Sequence, residues 1–211
     1  MGHPKPYHHG NLQEALLQSA IRLIAEVGPT AFTLREVARQ AGVSHNAPYR
    51  HFHDKDALLA AVATQGYGEL TDAMLEAASR ASNVLDRLKQ AGLAYVSFAL
   101  RRPEHFTVMF DAPFSKQTHP EAADAAERAF SVLMGLVRGC QEKKQLMSGD
   151  PLDLALLAWS MVHGIAKLAI TGRLPYRSKA EILKFAEFVI DESLPVSRWK
   201  KIRPQHAHAH A

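Results

Sequence analysis

The sequence predicts an all-α protein, because helical signals run along most of it and strand signals are nearly absent. Apolar residues recur at three- and four-residue spacings, as they do on one face of a helix. No sustained alternation of apolar and polar residues occurs, and no Asn-Gly or Asp-Gly turn separates two β-branched runs. Proline, glycine and short polar clusters mark the breaks. We therefore expect a series of helices joined by short connections.

The first two predicted helices are defined by their ends. An apolar stripe over residues 11–27 stops at Gly28-Pro29, which ends the first helix. Thr33 is a favourable N-cap for a second helix over 34–41, and Glu36, three residues later, can complete a capping box. Both helices are therefore predicted from local signals alone.

A third helix follows after a tight corner. Gly42 can take the left-handed conformation that ends the second helix and turns the chain. Ser44 is placed to cap a helix that begins at about His45. Pro48 is tolerated only near the first turn of a helix, because proline lacks a backbone N–H and clashes with the preceding turn. We therefore expect this third helix to be short.

The rest of the chain predicts a long helix followed by a bundle. Asp54 can cap the long helix, and prolines or polar clusters separate the later ones. The predicted helices are 54–80, 84–101, 103–110, 120–145, 151–172 and 178–194. This order places a compact three-helix unit before a larger helical bundle, with the long helix joining them.

Composition narrows the functional classes. The chain has 25 basic and 21 acidic residues, and residues 196–211 hold four of the basic residues and no acid, which leaves 21 of each elsewhere. Total charge is therefore no argument for nucleic acid. No run of about 18 uncharged apolar residues and no apolar N-terminal segment occurs, so we expect neither a membrane span nor a secretory signal. The single cysteine, Cys140, excludes an internal disulfide and fits a reducing, cytoplasmic location.

The corner between the second and third helices has the features of a helix-turn-helix that reads DNA. Such a motif needs a small residue where the helices approach, a left-handed turn and an apolar residue after it, which Ala38, Gly42 and Val43 supply. The first turn of the third helix would present side chains that can bond base edges or touch a thymine methyl, and its neighbours suit phosphates. The predicted DNA-contacting residues are Thr33, Arg35, Ser44, His45, Asn46, Ala47, Tyr49, Arg50, His51 and Lys55.

These residues resemble the TetR/AcrR family of bacterial transcriptional regulators. The similarity runs from "ALLQSAIRLIAEVG" through "TAFTLREVARQAGVSHNAPYRHFHDKDALLAAV", in the order and spacing that the family shows. Pro48 departs from it, since an apolar residue is commoner there. The segment "LAWSMVHGIAKLAITGRL" is similar to a Trp…His-Gly type of C-terminal domain found in one subset of the family.

The resemblance implies a homodimer that binds a pseudo-palindromic double-stranded DNA operator, most often as a repressor. It also implies that a ligand enters the C-terminal bundle and moves the long helix, and that the last two helices form the dimer interface. The interface residues expected from it are Leu156, Ile182, Phe185 and Val189. The expected division is an arm at 1–9, a helix-turn-helix DNA-binding domain at 10–56, a regulatory and dimerisation domain at 57–195 and a basic tail at 196–211.

Bulky and soft side chains in the bundle are candidates for an effector pocket, although plain core packing is the alternative for each of them. His163 could orient a ligand, or it could be a hydrogen-bonded core histidine. The expected pocket residues are Tyr95, Phe98, Phe106, Met109, Phe110, Phe130, Met134, Trp159 and His163. Their mainly apolar character favours an uncharged or amphipathic small organic effector.

Three alternatives remain beside this interpretation. A metal site is disfavoured, because His51 and His53 are two residues apart and point to different helix faces, and no cofactor or metal is expected. An enzyme is disfavoured because no G-x-S-x-G, Cys-His or H-E-x-x-H arrangement is present. An activator, or a DNA-binding regulator that needs no small molecule, remains open. The His-Ala tail is expected to have no function.

Overall fold

The structure is a computed structural model that describes residues 9–112 and 114–193. The predicted tail at 196–211, and the predicted arm at 1–9 apart from its last residue, lie outside the described residues. Within them the chain forms eight α-helices and one 3-10 helix. They are α1 (His9–Val27), α2 (Leu34–Gln40), the 3-10 helix (Pro48–Arg50), α3 (Lys55–Ser79), α4 (Val84–Arg101), α5 (Pro103–Asp111), α6 (Pro120–Glu142), α7 (Pro151–Ile170) and α8 (Lys179–Ser193). The all-α prediction is confirmed.

The end of α6 differs most from the predicted boundaries, because the helix stops at Glu142 rather than at residue 145. Lys144 takes a positive φ of 55°, and the Gln145 backbone N–H donates to the Cys140 carbonyl at 2.9 Å. This left-handed residue closes the helix in the way that glycine usually does. Residue 144 is a lysine rather than a glycine, so the residue type did not indicate that the helix ends here.

The chain divides into two compact units. Among the described residues, the first holds 9–71 together with 101–112 and 114–129, and the second holds 72–100 together with 130–193. The first unit therefore contains α1, α2, the 3-10 helix and α5, as well as the first part of α3. Residues of α3 and α5 thus belong to the same unit as the DNA-reading motif predicted from the sequence.

The first unit is built on the apolar stripe of α1. Leu16 and Ala20 are fully buried, as are Val37 and Ala38 of α2. The two helices pack against each other, and α5 also packs on α1. Phe52 is buried just after the 3-10 helix and fixes that segment to the same core.

The second unit has its own core, in which α4, α6 and α7 meet. It is centred on Leu88, Val137, Cys140, Leu146 and Ala155. Among the described helices, α7 is the one that is long and apolar enough to cross a membrane, judged by length and composition alone.

Candidate nucleic-acid interface

The first helix of the motif, α2, is held by a capping box. The Glu36 backbone N–H donates to Thr33 Oγ1 at 3.3 Å, and the Thr33 backbone N–H donates to Glu36 Oε2 at 2.7 Å. Hydrogen bonds from the hydroxyl and then the backbone N–H of Thr33 hold the pKa of the Glu36 carboxyl below its usual value. The predicted capping box is confirmed. The proposed phosphate contact of Thr33 stays a prediction, and its hydroxyl is already bonded to Glu36.

The corner after α2 is a Schellman turn that depends on Gly42. This residue has a φ of 69°, and its N–H donates to the Arg39 carbonyl at 3.2 Å. The Val43 N–H donates to the Ala38 carbonyl at 3.0 Å. Both bonds satisfy carbonyls at the end of α2, and the left-handed glycine makes them possible. The predicted role of Gly42 is confirmed, and that of the apolar side chain of Val43 stays a prediction.

The second helix of the motif is shorter than the sequence suggested. We expected it to begin at about His45 with Ser44 as its cap, but it is a 3-10 helix over Pro48–Arg50 with Ala47 at its N-cap and no side-chain cap. Because Pro48 has no N–H to donate to the Ser44 carbonyl, a helix that started at Ser44 could not run through it. The Ala47 N–H donates to the Ser44 carbonyl at 2.9 Å instead, which leaves residues 44–47 as a turn.

This shorter geometry also corrects the role of Ala47. Ala47 is only 8% exposed, so little of its methyl group is available to a thymine methyl, which disfavours the predicted contact. Pro48 beside it is buried as well. The turn directs these two apolar residues toward the core and leaves their polar neighbours outside.

The exposed residues of the motif line an open groove of about 620 Å³. It is lined by Arg35, Glu36, Arg39, His45, Asn46 and Tyr49. Arg39 was not among the predicted DNA-contacting residues, although it follows Arg35 by four residues and therefore lies on the same helix face. Ser44 and Arg50 are also exposed, and His51 is half-buried. The groove therefore combines two guanidinium groups with a carboxylate, an imidazole, an amide and a phenol, and the carboxylate, that of Glu36, is bonded to Thr33.

The start of α3 is fixed beside the motif. The Ala57 N–H donates to Asp54 Oδ1 at 2.8 Å, which confirms the predicted cap and, together with a weaker effect of His53, lowers the pKa of the Asp54 carboxyl. Lys55 Nζ donates to the Thr30 carbonyl at 2.9 Å and lies 5.4 Å from the centre of the Phe32 ring. Lys55 therefore ties α3 to the loop before α2, and its predicted phosphate contact stays a prediction.

The expected pocket residues are spread over both units. Phe106, Met109 and Phe110 belong to the first unit, and the other six belong to the second. In the second unit, Trp159 Nε1 donates to Tyr95 Oη at 3.1 Å, and Tyr95 Oη lies 2.8 Å from His163 Nδ1. The expected set therefore includes a polar network that links α4 to α7.

The second unit contains a cavity of about 210 Å³ with a different lining. The lining residues are Leu88, Val137, Leu146, Met147, Leu154, Leu157, Ala158, Met161 and Ser193. Met161 belongs to the bulky and soft bundle side chains that are pocket candidates from the sequence, and the other eight lining residues do not, because aromatic side chains were favoured over aliphatic ones. Whether a ligand binds beside the polar network of Tyr95, Trp159 and His163 or in this cavity stays a prediction.

The expected dimer residues differ in exposure. Leu156 is 40% exposed, and Phe185 and Val189 are half-buried. Ile182 is only 8% exposed, so it packs within its own unit and has little surface for a partner. Ile182 lies on the inward stripe of α8, one turn before Ala186. Phe188 lies on the opposite side of the helix and is 62% exposed, but it was not among the predicted interface residues.

Among the described residues, no group of three or more His, Cys, Asp or Glu side chains is placed to hold a metal ion. The motif instead presents hydrogen-bonding side chains on a backbone fixed by a capping box, a Schellman turn and buried apolar residues. This is what reading base edges in a major groove requires. The fold and the site together define a helix-turn-helix DNA-binding regulator.

Two family models match the chain. Residues 16–62 match "Bacterial regulatory proteins, tetR family", and residues 88–192 match "Tetracyclin repressor-like, C-terminal domain". The chain therefore belongs to the TetR family of bacterial transcriptional regulators. These proteins are regulators rather than enzymes, which settles that alternative.

The curated relatives match less than half of the chain. The HTH-type transcriptional repressor Rv3405c of Mycobacterium tuberculosis is 46% identical over 48 residues, which are 23% of this chain and 26% of that protein. The HTH-type transcriptional regulator BetI of Rhizobium meliloti is 35% identical over 86 residues, 41% of each protein. The chain thus spans less than half the length of these relatives.

Solved structures cover nearly the whole chain. A protein of unknown function from Rhodococcus sp. RHA1 is 33% identical, with a TM-score of 0.77 over 91% of this chain and 100% of its own. AibR in complex with isovaleryl coenzyme A and operator DNA is 19% identical, with a TM-score of 0.70 over 88% and 99%. FadR from Bacillus subtilis in complex with stearoyl-CoA is 15% identical, with a TM-score of 0.71 over 84% and 95%. The last two show the shared fold.

Proposed function

We propose that the chain is a cytoplasmic, homodimeric repressor that binds a pseudo-palindromic DNA operator and is released by a small, mainly apolar organic effector. The observation that carries the proposal is the groove with Arg35, Arg39 and Asn46 in its wall. Arginine can bond guanine, and asparagine can bond adenine, each through two hydrogen bonds. Tyr49 and Arg50 are exposed beside them and are suited to phosphate oxygens.

Dimer formation is supported by exposed apolar side chains on α7 and α8. Such side chains cost free energy when they face water and are common where two chains meet. They are Leu152, Leu156, Leu157, Leu168 and Phe188. A two-fold dimer would present two motifs to two half-sites, which is the geometry of a pseudo-palindrome.

An apolar effector is supported by the aliphatic lining of the cavity in the second unit, in which Ser193 is the one hydroxyl-bearing residue. Two proteins of the same fold are described in complex with acyl coenzyme A molecules. Isovaleryl-CoA and stearoyl-CoA are therefore the first probes to test. Their acyl chains differ greatly in length, so a preference would show how much apolar ligand the bundle accepts.

The test is to sequence genomic DNA fragments captured by the pure protein and then to measure binding to the recovered site. We expect an inverted repeat and a Kd at least about a thousandfold below that for unrelated DNA. Recovery of random fragments would contradict the proposal. Addition of an acyl-CoA should weaken binding to the recovered site. If no acyl-CoA or metabolite extract changes the affinity, the protein is a ligand-independent regulator, and a promoter that loses transcription on its deletion identifies an activator.

A further inference from the structure

The helix α5 is fitted closely against α3 within the first unit. Gly66 of α3 allows this approach, since a Cβ there would lie 2.5 Å from Met109 Sδ and 3.2 Å from His105 Cβ of α5. The Tyr67 hydroxyl donates to the Met109 carbonyl at 2.7 Å. α5 also packs on α1, the first helix of the same unit as the DNA-reading motif. A change at α5 therefore acts directly on helices that support the motif.

His105 occupies the middle of this junction in an unusual state. Its side chain is 1% exposed, and neither Nδ1 nor Nε2 has a hydrogen-bond partner among the described residues. A neutral imidazole has one N–H and one acceptor nitrogen, whereas a protonated ring has two N–H donors and a full charge. Burial without partners therefore penalises the protonated form more strongly than the neutral one.

Charged groups on every helix packed around His105 also affect the balance between its neutral and protonated forms. Burial is the largest effect and lowers its pKa. Glu69 of α3 is the next and raises it, as do Glu104 of α5 and Glu14 of α1 to a smaller extent, whereas Arg102 lowers it. Arg102 Nε donates to Glu69 Oε2 at 2.9 Å, so the carboxylate with the largest effect on His105 is already paired.

We propose that His105 is a proton-sensitive lock that holds α5 against α3 and α1 when neutral and loosens this junction when protonated, which weakens operator binding. Glu69, Glu104 and Glu14 all favour the protonated ring, so an imidazolium finds acceptors once α5 shifts and exposes the ring. Glu69 has the largest effect of the three, and Arg102 would have to release it. The protonated ring therefore favours a loosened junction over the packed one.

The direction with pH follows from proton binding. The pKa of His105 is lower in the folded protein than the usual value of about 6.5 in an unfolded chain. Above about pH 7 both states are neutral and pH has no effect through this residue. As the pH falls through about 6.5, the unfolded or loosened state binds the proton first, so the packed state loses stability.

The first test is the melting temperature of the full chain between about pH 7.5 and 5.5, for wild type, His105→Gln and the control His119→Gln. Glutamine keeps polar atoms of similar reach but carries no charge at any of these pH values. We expect the wild type to lose about 2–4 °C more than His105→Gln over this range. The control His119→Gln, at a half-buried histidine whose Nδ1 lies 3.1 Å from Thr118 Oγ1, should follow the wild type. Parallel curves for wild type and His105→Gln would overturn the proposal.

The second test measures operator affinity and rests on the proposed function. The ratio of the Kd of wild type to that of His105→Gln cancels the effects of His45, His51 and His53, which both proteins share. We expect this ratio to rise at least about threefold from pH 7.5 to 5.8, the effect of half a pKa unit. A constant ratio overturns the link to DNA. If no operator exists, the proposed function fails while the melting test still decides the proposal on His105.

A third measurement covers the case in which His105→Gln does not fold. NMR titration of the wild-type protein should show that the His105 ring stays neutral at pH values below the pKa that a histidine usually has. The chemical shifts of the backbone amides of α5 should change over the same pH range in which the ring becomes protonated. A titration near pH 6.5 without changes in α5 would contradict the lock.

Discussion

At the scale of single residues, Asn46 and Tyr49 line the same groove but are expected to contact different parts of DNA. Asn46→Ala should lower the preference for one base pair of each half-site by about 1–3 kcal/mol, because the amide supplies the bidentate contact. Tyr49→Phe should weaken binding to all sequences alike, because a phosphate contact carries no sequence information. Competition binding on a library of operator variants measures both. An unchanged preference for Asn46→Ala would contradict the assignment.

The buried thiol of Cys140 gives a pH-dependent prediction. Its Sγ donates to the Val84 carbonyl at 3.1 Å, and burial raises its pKa to about 11. The thiol is therefore protonated in the folded protein, and its reaction with a disulfide reagent at about pH 8 should be slow until the chain is denatured. The usual pKa of a free cysteine thiol is 9.0, so the contribution of Cys140 to stability is complete below pH 9 and is lost as the pH rises toward 11. Fast labelling of the native protein would show that Cys140 is accessible.

At the scale of elements, the Schellman turn can be tested with two glycines that have equally open surroundings. A Cβ at Gly42 or at Gly68 would meet nothing within 4 Å, but only Gly42 has a positive φ, of 69°. Gly42→Ala should therefore cost about 1–2 kcal/mol of stability through backbone strain alone. Gly68→Ala, in the exposed middle of α3, should add about 0.5–1 kcal/mol. Urea unfolding of the two variants measures both, and equal effects would contradict the assigned role of the turn.

The parts of the motif that could be predicted depend on residues close together in the chain. The capping box of Thr33 and Glu36 and the left-handed Gly42 follow from residue type and spacing. The 3-10 helix could not be placed, because Pro48 is compatible with the first turn of several short geometries and only packing selects one. The end of α6 was missed for a related reason, since Lys144 takes a conformation that its residue type does not favour.

At the scale of the whole molecule, the proposed dimer can be tested at Phe188. This ring is 62% exposed on α8. Phe188→Ser should give a monomer by light scattering at micromolar concentration, because it removes the most exposed ring from the proposed interface. Operator affinity should then fall by about a hundredfold, since the two half-sites are no longer bound together. Val27→Ser, at a 50% exposed apolar residue of α1, is the control and should remain a dimer.

The fold class and family could be predicted because helical periodicity and the motif are properties of the chain itself. The cavity could not, because Leu88, Val137 and Leu154 come from three helices whose contact depends on packing between them. Ile182 was predicted at the interface for the same reason. Its apolar side chain fits either a core or an interface, and only the packing of α8 decides between them.

The short 3-10 helix has a thermodynamic consequence for the protein before it meets DNA. The Arg50 N–H donates to the Ala47 carbonyl at 3.3 Å, and few such bonds close this segment, whereas α1 has 19 residues. Segments with little helical hydrogen bonding open at low free energy, so their amides exchange quickly with solvent. We expect residues 44–51 to exchange faster than α1 in the free protein and to gain more protection than α1 when operator is added. Hydrogen-exchange mass spectrometry measures this directly. The protein would then use part of its binding energy to order the residues that we propose contact the DNA.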